Sequence, residues 1–148
     1  MSLFSHDGPN TRRLRRYLRR RERTSPARRP ALDCRSWPAL TRRQAVVFTD
    51  TADFTVRTLR DGILHFLMSF GSVAAAVRPV VHASGGEVVK IEGDSLLLGF
   101  DDAVAACKGV FAIEAAVRRY NRARPGDERF RFSYGIGYGD LVEVDGDR

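Results

Sequence analysis

An α+β domain, with an antiparallel sheet covered by helices on one face, is the fold class this sequence predicts, on three observations. The run 45–49, AVVFT, is short, apolar and β-branched, which suits a buried strand better than a helix. Two longer stretches, about 61–84 and 102–122, repeat apolar residues at helical spacing. Between them, 85–100 reads as two short strands about a Gly93-Asp94 turn.

Taken in order, residues 1–10 are polar, carry Gly8-Pro9 and are expected to be disordered. A cationic helix is expected from an N-cap at Thr11 to Arg23, with Leu14, Tyr17 and Leu18 as a narrow apolar stripe. Pro26, Pro30 and Pro38 then predict a linker over 25–40, so that 1–40 is an extension and 41–148 the domain. After the first strand comes a loop at 50–54, then a helix capped by Thr55. The helix over 61–84 turns Ile63, Leu64, Phe66, Leu67, Phe70, Val73, Ala74, Val77, Val80 and Val81 toward the sheet, with a kink at Pro79. Ser84-Gly85-Gly86 ends it. The helix over 102–122 turns Ala103, Ala106, Val110, Ile113, Ala116, Val117 and Tyr120 inward, and strands follow at 130–136 and 140–144. The order strand, two helices, hairpin, helix, strand is a ferredoxin-like βααββαβ arrangement.

The 148 residues suffice for one domain with a sizeable core. The formal charge of +7 is localised: residues 1–36 hold eleven Arg against Asp7, Glu22 and Asp33, so that stretch carries +8 and the remainder −1. The basicity therefore describes a tail, which could meet an anionic membrane or nucleic acid or simply be solvated. Cys34 and Cys107 lack CxxC spacing and a nearby His cluster, which argues against a disulfide framework or structural zinc and predicts a reducing, cytoplasmic setting. His6, His65 and His82 are scattered and are expected to be surface or helix residues. No unbroken apolar run approaches the roughly 20 residues of a membrane span, and the basic N-terminus lacks the apolar core of a secretory signal.

Chemistry concentrates at the strand ends. Asp50 closes the first strand, where a carboxylate must be hydrogen-bonded by the next loop or neutralised by a metal or cationic ligand. If the hairpin joins the same sheet, Asp94 arrives beside it, and two carboxylates at one sheet end can hold a divalent cation and the triphosphate it bridges. The N–H groups opening the helix after Asp50 would face that phosphate. The structural alternative makes Phe48 and Phe54 core residues and Asp50 a helix cap.

VVFTDTADFT (46–55), GGEVVKIEGDSLLLGF (85–100) and FSYGIGYGDLVEV (132–144) resemble, in order and spacing, successive segments of class III adenylate/guanylate cyclase catalytic domains, over 43–148. Gly85-Gly86-Glu87 is also similar to a diguanylate cyclase signature, but Val88-Val89 and Gly93-Asp94 fit the class III pattern better. The resemblance implies the nucleotidyl cyclase fold and conversion of ATP to 3′,5′-cyclic AMP and pyrophosphate in intracellular signalling. It implies two Mg²⁺ or Mn²⁺ ions on Asp50, Asp94 and the Thr51 carbonyl, and a phosphate loop at Asp53, Phe54 and Thr55. Lys90 matches the adenine-reading lysine of ATP-using members, since an ammonium donates to adenine N1 but cannot accept from guanine; ATP is expected over GTP.

Two departures from the family pattern stand out. Asp53 replaces a small residue, often glycine. The later family motif, with an asparagine that orients the ribose and an arginine that stabilises transition-state charge, is absent, so a C-terminally incomplete domain is expected. Active sites of the family form between two catalytic domains, which implies a homodimer or a heterodimer with another cyclase domain. A non-catalytic nucleotide-binding or dimerisation module is the competing expectation. An RNA-binding module fits less well, because the central strands offer apolar residues and carboxylates where such modules expose aromatics.

Overall fold

The computed structural model describes residues 8–144. Residues 8–43 with 139–144 form one compact unit and Gln44–Tyr138 a second, the boundary falling inside two strands. In chain order the elements are α1 Pro9–Glu22, a 3₁₀ turn Pro26–Arg28, α2 Arg29–Leu40, β1 Thr41–Thr51, α3 Phe54–Asp61, α4 Ile63–Ala83, β2 Gly86–Glu92, β3 Ser95–Phe100, α5 Ala103–Asn121, a 3₁₀ turn Gly126–Glu128 and β4 Phe132–Val142. From β1 onward this is the expected βααββαβ order, and the four strands form one antiparallel sheet in the order β2-β3-β1-β4.

Alternation decides which face is covered. Ala45, Val47, Thr49 and Thr51 of β1 are buried, while Phe48 and Asp50 are exposed. The covered face packs Val47, Leu96, Leu98 and Phe100 against Phe66, Phe70, Val73, Val77 and Val81 of α4 and Ala106, Ile113 and Val117 of α5. Phe130 and Phe132 close one end beside Phe70. The guanidinium of Arg57 is buried over the Phe130 ring, 4.2 Å from its centroid, and donates to the carbonyls of Arg129 and Glu128. Asp102 caps α5 by accepting from the Ala105 N–H at 2.8 Å.

Several sequence expectations are corrected. Residues 25–40 are a 3₁₀ turn and a helix, not a linker: Pro30 sits in the first turn of α2, where its missing N–H costs nothing, and Pro38 lies in the last. The first helix begins at Pro9 with Gly8 before it, and Thr11 is a buried helical residue, not a cap. The disorder expected for 1–10 falls partly on residues 1–7, outside the described residues. Ile63, Leu64 and Leu67 are exposed by 45%, 76% and 44%, because the apolar face of α4 is wider than the sheet it covers. That helix has the length and composition of a membrane span, yet its Phe66, Phe70, Val73, Val77 and Val81 are core residues. The strands expected at 130–136 and 140–144 are one continuous β4.

In the unit holding α1 and α2, Asp33 ties the two helices together. It accepts from Tyr17 Oη at 2.6 Å and from Arg21 Nε at 3.0 Å. These hydrogen bonds, Arg21 first and then Tyr17, hold its carboxyl below the ordinary range. Asp140 accepts from Arg43 Nε and from the Trp37 indole N–H.

Candidate functional site

The β1–β3 register pairs Ala45 with Phe100 and Phe48 with Leu97. Continued three residues, it sets Thr51 opposite Asp94, and a hydrogen bond fixes that approach: Thr51 Oγ1 donates to the Asp94 carbonyl at 2.7 Å. Two residues earlier on the same face, Thr49 Oγ1 accepts from the Leu96 N–H at 2.9 Å. Two buried threonine hydroxyls thus stitch the exit of β1 to the entry of β3. The hairpin turn itself depends on Gly93, whose φ of +59° favours glycine.

This stitching brings Asp50 and Asp94 to the same end of the sheet. Asp50 is exposed on the open face and Asp94 is half-buried in the turn. Among the described residues neither carboxylate has a hydrogen bond or ion pair, so the first of the two fates expected for Asp50, capture by its own loop, is not what the structure shows. The helix-cap alternative fails as well, because Asp53, not Asp50, precedes α3. The carboxylates of Asp50 and Asp94 and the carbonyl of Thr51 are all oxygen donors, the kind that suits a hard divalent cation. Among the described residues no cluster of three or more His, Cys, Asp or Glu side chains could hold a metal, so any ion here must take further ligands from carbonyls, water or substrate.

The following loop is ordered by an exchange of partners. Asp53 has φ +64°, the left-handed region that an L-residue adopts at a cost, and its side chain does not cap α3. It accepts instead from Arg131 Nη2 at 2.7 Å, while the Ala52 N–H donates to the Arg131 carbonyl. The helix starts at Phe54, one residue before the expected cap Thr55. Its first internal backbone bond is from the Arg57 N–H to the Asp53 carbonyl, so the N–H groups of Phe54, Thr55 and Val56 have no intrahelical acceptor. Phe54 is anchored by an edge contact with Phe66 at 4.8 Å, which leaves its backbone, not its ring, for the loop.

Lys90 reaches the open face through a bulge. Val88 pairs with Leu98 and Lys90 with Leu97, a register shift that inserts one residue into β2. Without it Lys90 would share the face of Val88, under the helices. With it, Lys90, Leu97 and Phe48 form one row across the open face. Lys90 Nζ lies 3.6 Å from Glu92 Oε2, the ion pair that strand alternation also predicts. Arg131 is the residue sequence reasoning missed; its only signal is position, directly before the FSYGIGYG segment.

No protein-family model matches the chain, and no curated protein matches it. Solved structures do. A bacterial light-regulated adenylyl cyclase superposes with TM-score 0.61 at 18% identity, covering 69% of this chain and 56% of that one. An adenylate/guanylate cyclase/hydrolase from Silicibacter pomeroyi gives TM-score 0.54 at 28% identity, covering 72% and 62%. A class III adenylyl cyclase-like ATP-binding protein from Pseudomonas aeruginosa gives 0.50 at 15%, covering 72% and 28%. This chain spans less than two thirds of each of these three. It has the fold of bacterial class III nucleotidyl cyclase domains, and the resemblance seen in the sequence holds in three dimensions over about 70% of the chain.

Proposed function

We propose that this chain is a nucleotidyl cyclase domain whose Asp50 and Asp94, with the Thr51 carbonyl, hold the divalent ions that bind ATP for conversion to cyclic AMP and pyrophosphate. The observation that carries the reading is the Thr51–Asp94 hydrogen bond, which sets two unpartnered carboxylates at one end of a sheet of cyclase fold.

Bound Mg²⁺ or Mn²⁺ would neutralise the triphosphate and lower the pKa of the attacking 3′ hydroxyl. The chain's own part is positioning. Asp50 and Asp94 supply fixed negative charge, and the free N–H groups of Phe54, Thr55 and Val56 donate to phosphate oxygens at the start of α3. Arg131 offsets the charge that Asp53 brings to this loop. Lys90, on the open face, reads adenine N1 in a site completed by a second cyclase domain, in a homodimer or a heterodimer. In a heterodimer, the partner domain's asparagine and arginine would orient the ribose and stabilise charge on the α-phosphate.

The test mixes this chain with a cyclase domain that supplies those two residues but lacks its own metal aspartates. Cyclic AMP formed with the wild-type chain and not with Asp50→Ala supports the reading. Mn²⁺-ATP binding without cyclic AMP would favour the second reading, a non-catalytic nucleotide-binding or dimerisation module.

A further inference from the structure

We infer that the outer face of α1 is a docking surface for the phosphate backbone of nucleic acid, independent of the nucleotide site. At 100° per residue, Arg12, Arg15, Arg16, Arg19, Arg20 and Arg23 fall in one arc of the helix, with Glu22 at its edge. They line an open groove of about 700 Å³ with Thr24. Along the axis they span about 16 Å, at 1.5 Å per residue.

The opposite side of α1 is already occupied. Tyr17 and Arg21 point to Asp33 of α2, and Arg13 donates to the Ala39 carbonyl at the end of α2. This decides between two polyanions. A helix lying on a lipid surface buries its apolar face in the headgroup boundary, and here Tyr17 is turned to α2 and Leu18 is the one exposed residue of the apolar stripe, leaving a guanidinium face with little to insert. Nucleic acid needs no insertion: arginine forks bind phosphate oxygens bidentately, and a helix of about 10–12 Å diameter matches a major groove about 12 Å wide. The clamp at Asp33 holds the helix in one orientation before binding, so the helix itself need not be ordered by the ligand.

Fluorescence anisotropy of the full chain with a labelled 20-base-pair DNA duplex and a labelled 20-nucleotide RNA tests this. The expected result is binding of at least one, with log K falling against log salt at a slope of about −4, as four neutralised phosphates require. Exchange of Arg16, Arg19, Arg20 and Arg23 for Gln, which keeps helix propensity and leaves the Asp33 clamp intact, should cost at least tenfold in affinity and flatten the slope. Arg118→Gln with Arg119→Gln on α5 should change neither. Equal binding by the fourfold variant and wild type, no binding to either nucleic acid, or tighter binding to vesicles of phosphatidylcholine with 30% phosphatidylserine would overturn the inference.

Discussion

Arg131 grips the loop after β1 twice: its Nη2 lies 2.7 Å from Asp53 Oδ2, and its carbonyl accepts from the Ala52 N–H at 3.0 Å. If this loop binds phosphate as proposed, its acidic Asp53 comes with its own counter-ion. Asp53→Gly removes a left-handed aspartate and an exposed ion pair, effects of about 1 kcal/mol each with opposite sign, so stability should change little. Mn²⁺-ATP affinity should rise, because Arg131 is released to face phosphate. Arg131→Ala should lower it by leaving Asp53 unpaired. Calorimetric titration distinguishes the two, and unchanged affinity in Arg131→Ala would contradict this role.

Lys90 depends on the bulge in β2 for its place on the open face. Lys90→Glu should shift nucleotide preference from ATP toward GTP, since a carboxylate accepts from guanine N1–H and its amino group. Competition between ATP and GTP for a fluorescent analogue measures this; an ATP preference unaltered by the exchange would remove Lys90 from base recognition.

The ring of Phe100 lies between β2 and α5, where glycine is required for space. A Cβ on Gly109 would stand 2.5 Å from Phe100 Cζ and 2.6 Å from Cε1. Gly109→Ala, which in an open helix gains about 1 kcal/mol, should here destabilise by about 1–3 kcal/mol through overpacking. Phe100→Leu in the same chain should recover part of the loss in urea unfolding. A more stable Gly109→Ala would show that the contact is easily relieved.

How much of this was legible in the sequence follows from what each feature depends on. The βααββαβ order and the hairpin were readable because periodicity and turn residues are local, and Gly93 does adopt positive φ. The nature of 25–40 was not, because Pro30 stands in the first turn of α2, where no N–H is needed, and Pro38 costs a bond only in the last turn. Nor was the extent of β4: two strands were expected, at 130–136 and 140–144, but neighbouring β1 carries one strand through Gly137 and Gly139. At the candidate site, the motifs point to Asp50, Thr51 and Asp94, and the approach of Thr51 to Asp94 required only that the hairpin join the sheet. Arg131 was not legible, since its tie to Asp53 spans 78 residues.

Tyr134, part-buried on β4, donates to Glu114 Oε1 at 2.8 Å, and burial first, then this hydrogen bond and the glutamate charge, push its phenol above the ordinary value. A raised folded value means the contribution to stability is complete below the unfolded value near pH 10 and is lost as pH rises beyond it, because the unfolded chain ionises first. Urea midpoints between about pH 8 and pH 11 should fall more steeply for wild type than for Tyr134→Phe; parallel curves would contradict the assignment.

The proposed metal role of Asp50 and Asp94 is tested most directly by Mn²⁺ electron paramagnetic resonance, with free ion titrated against protein and a non-cyclisable ATP analogue. The account predicts a nucleotide-dependent loss of the free-ion signal for wild type, weakened at least tenfold in both Asp50→Asn and Asp94→Asn. Equal binding by all three proteins would contradict it.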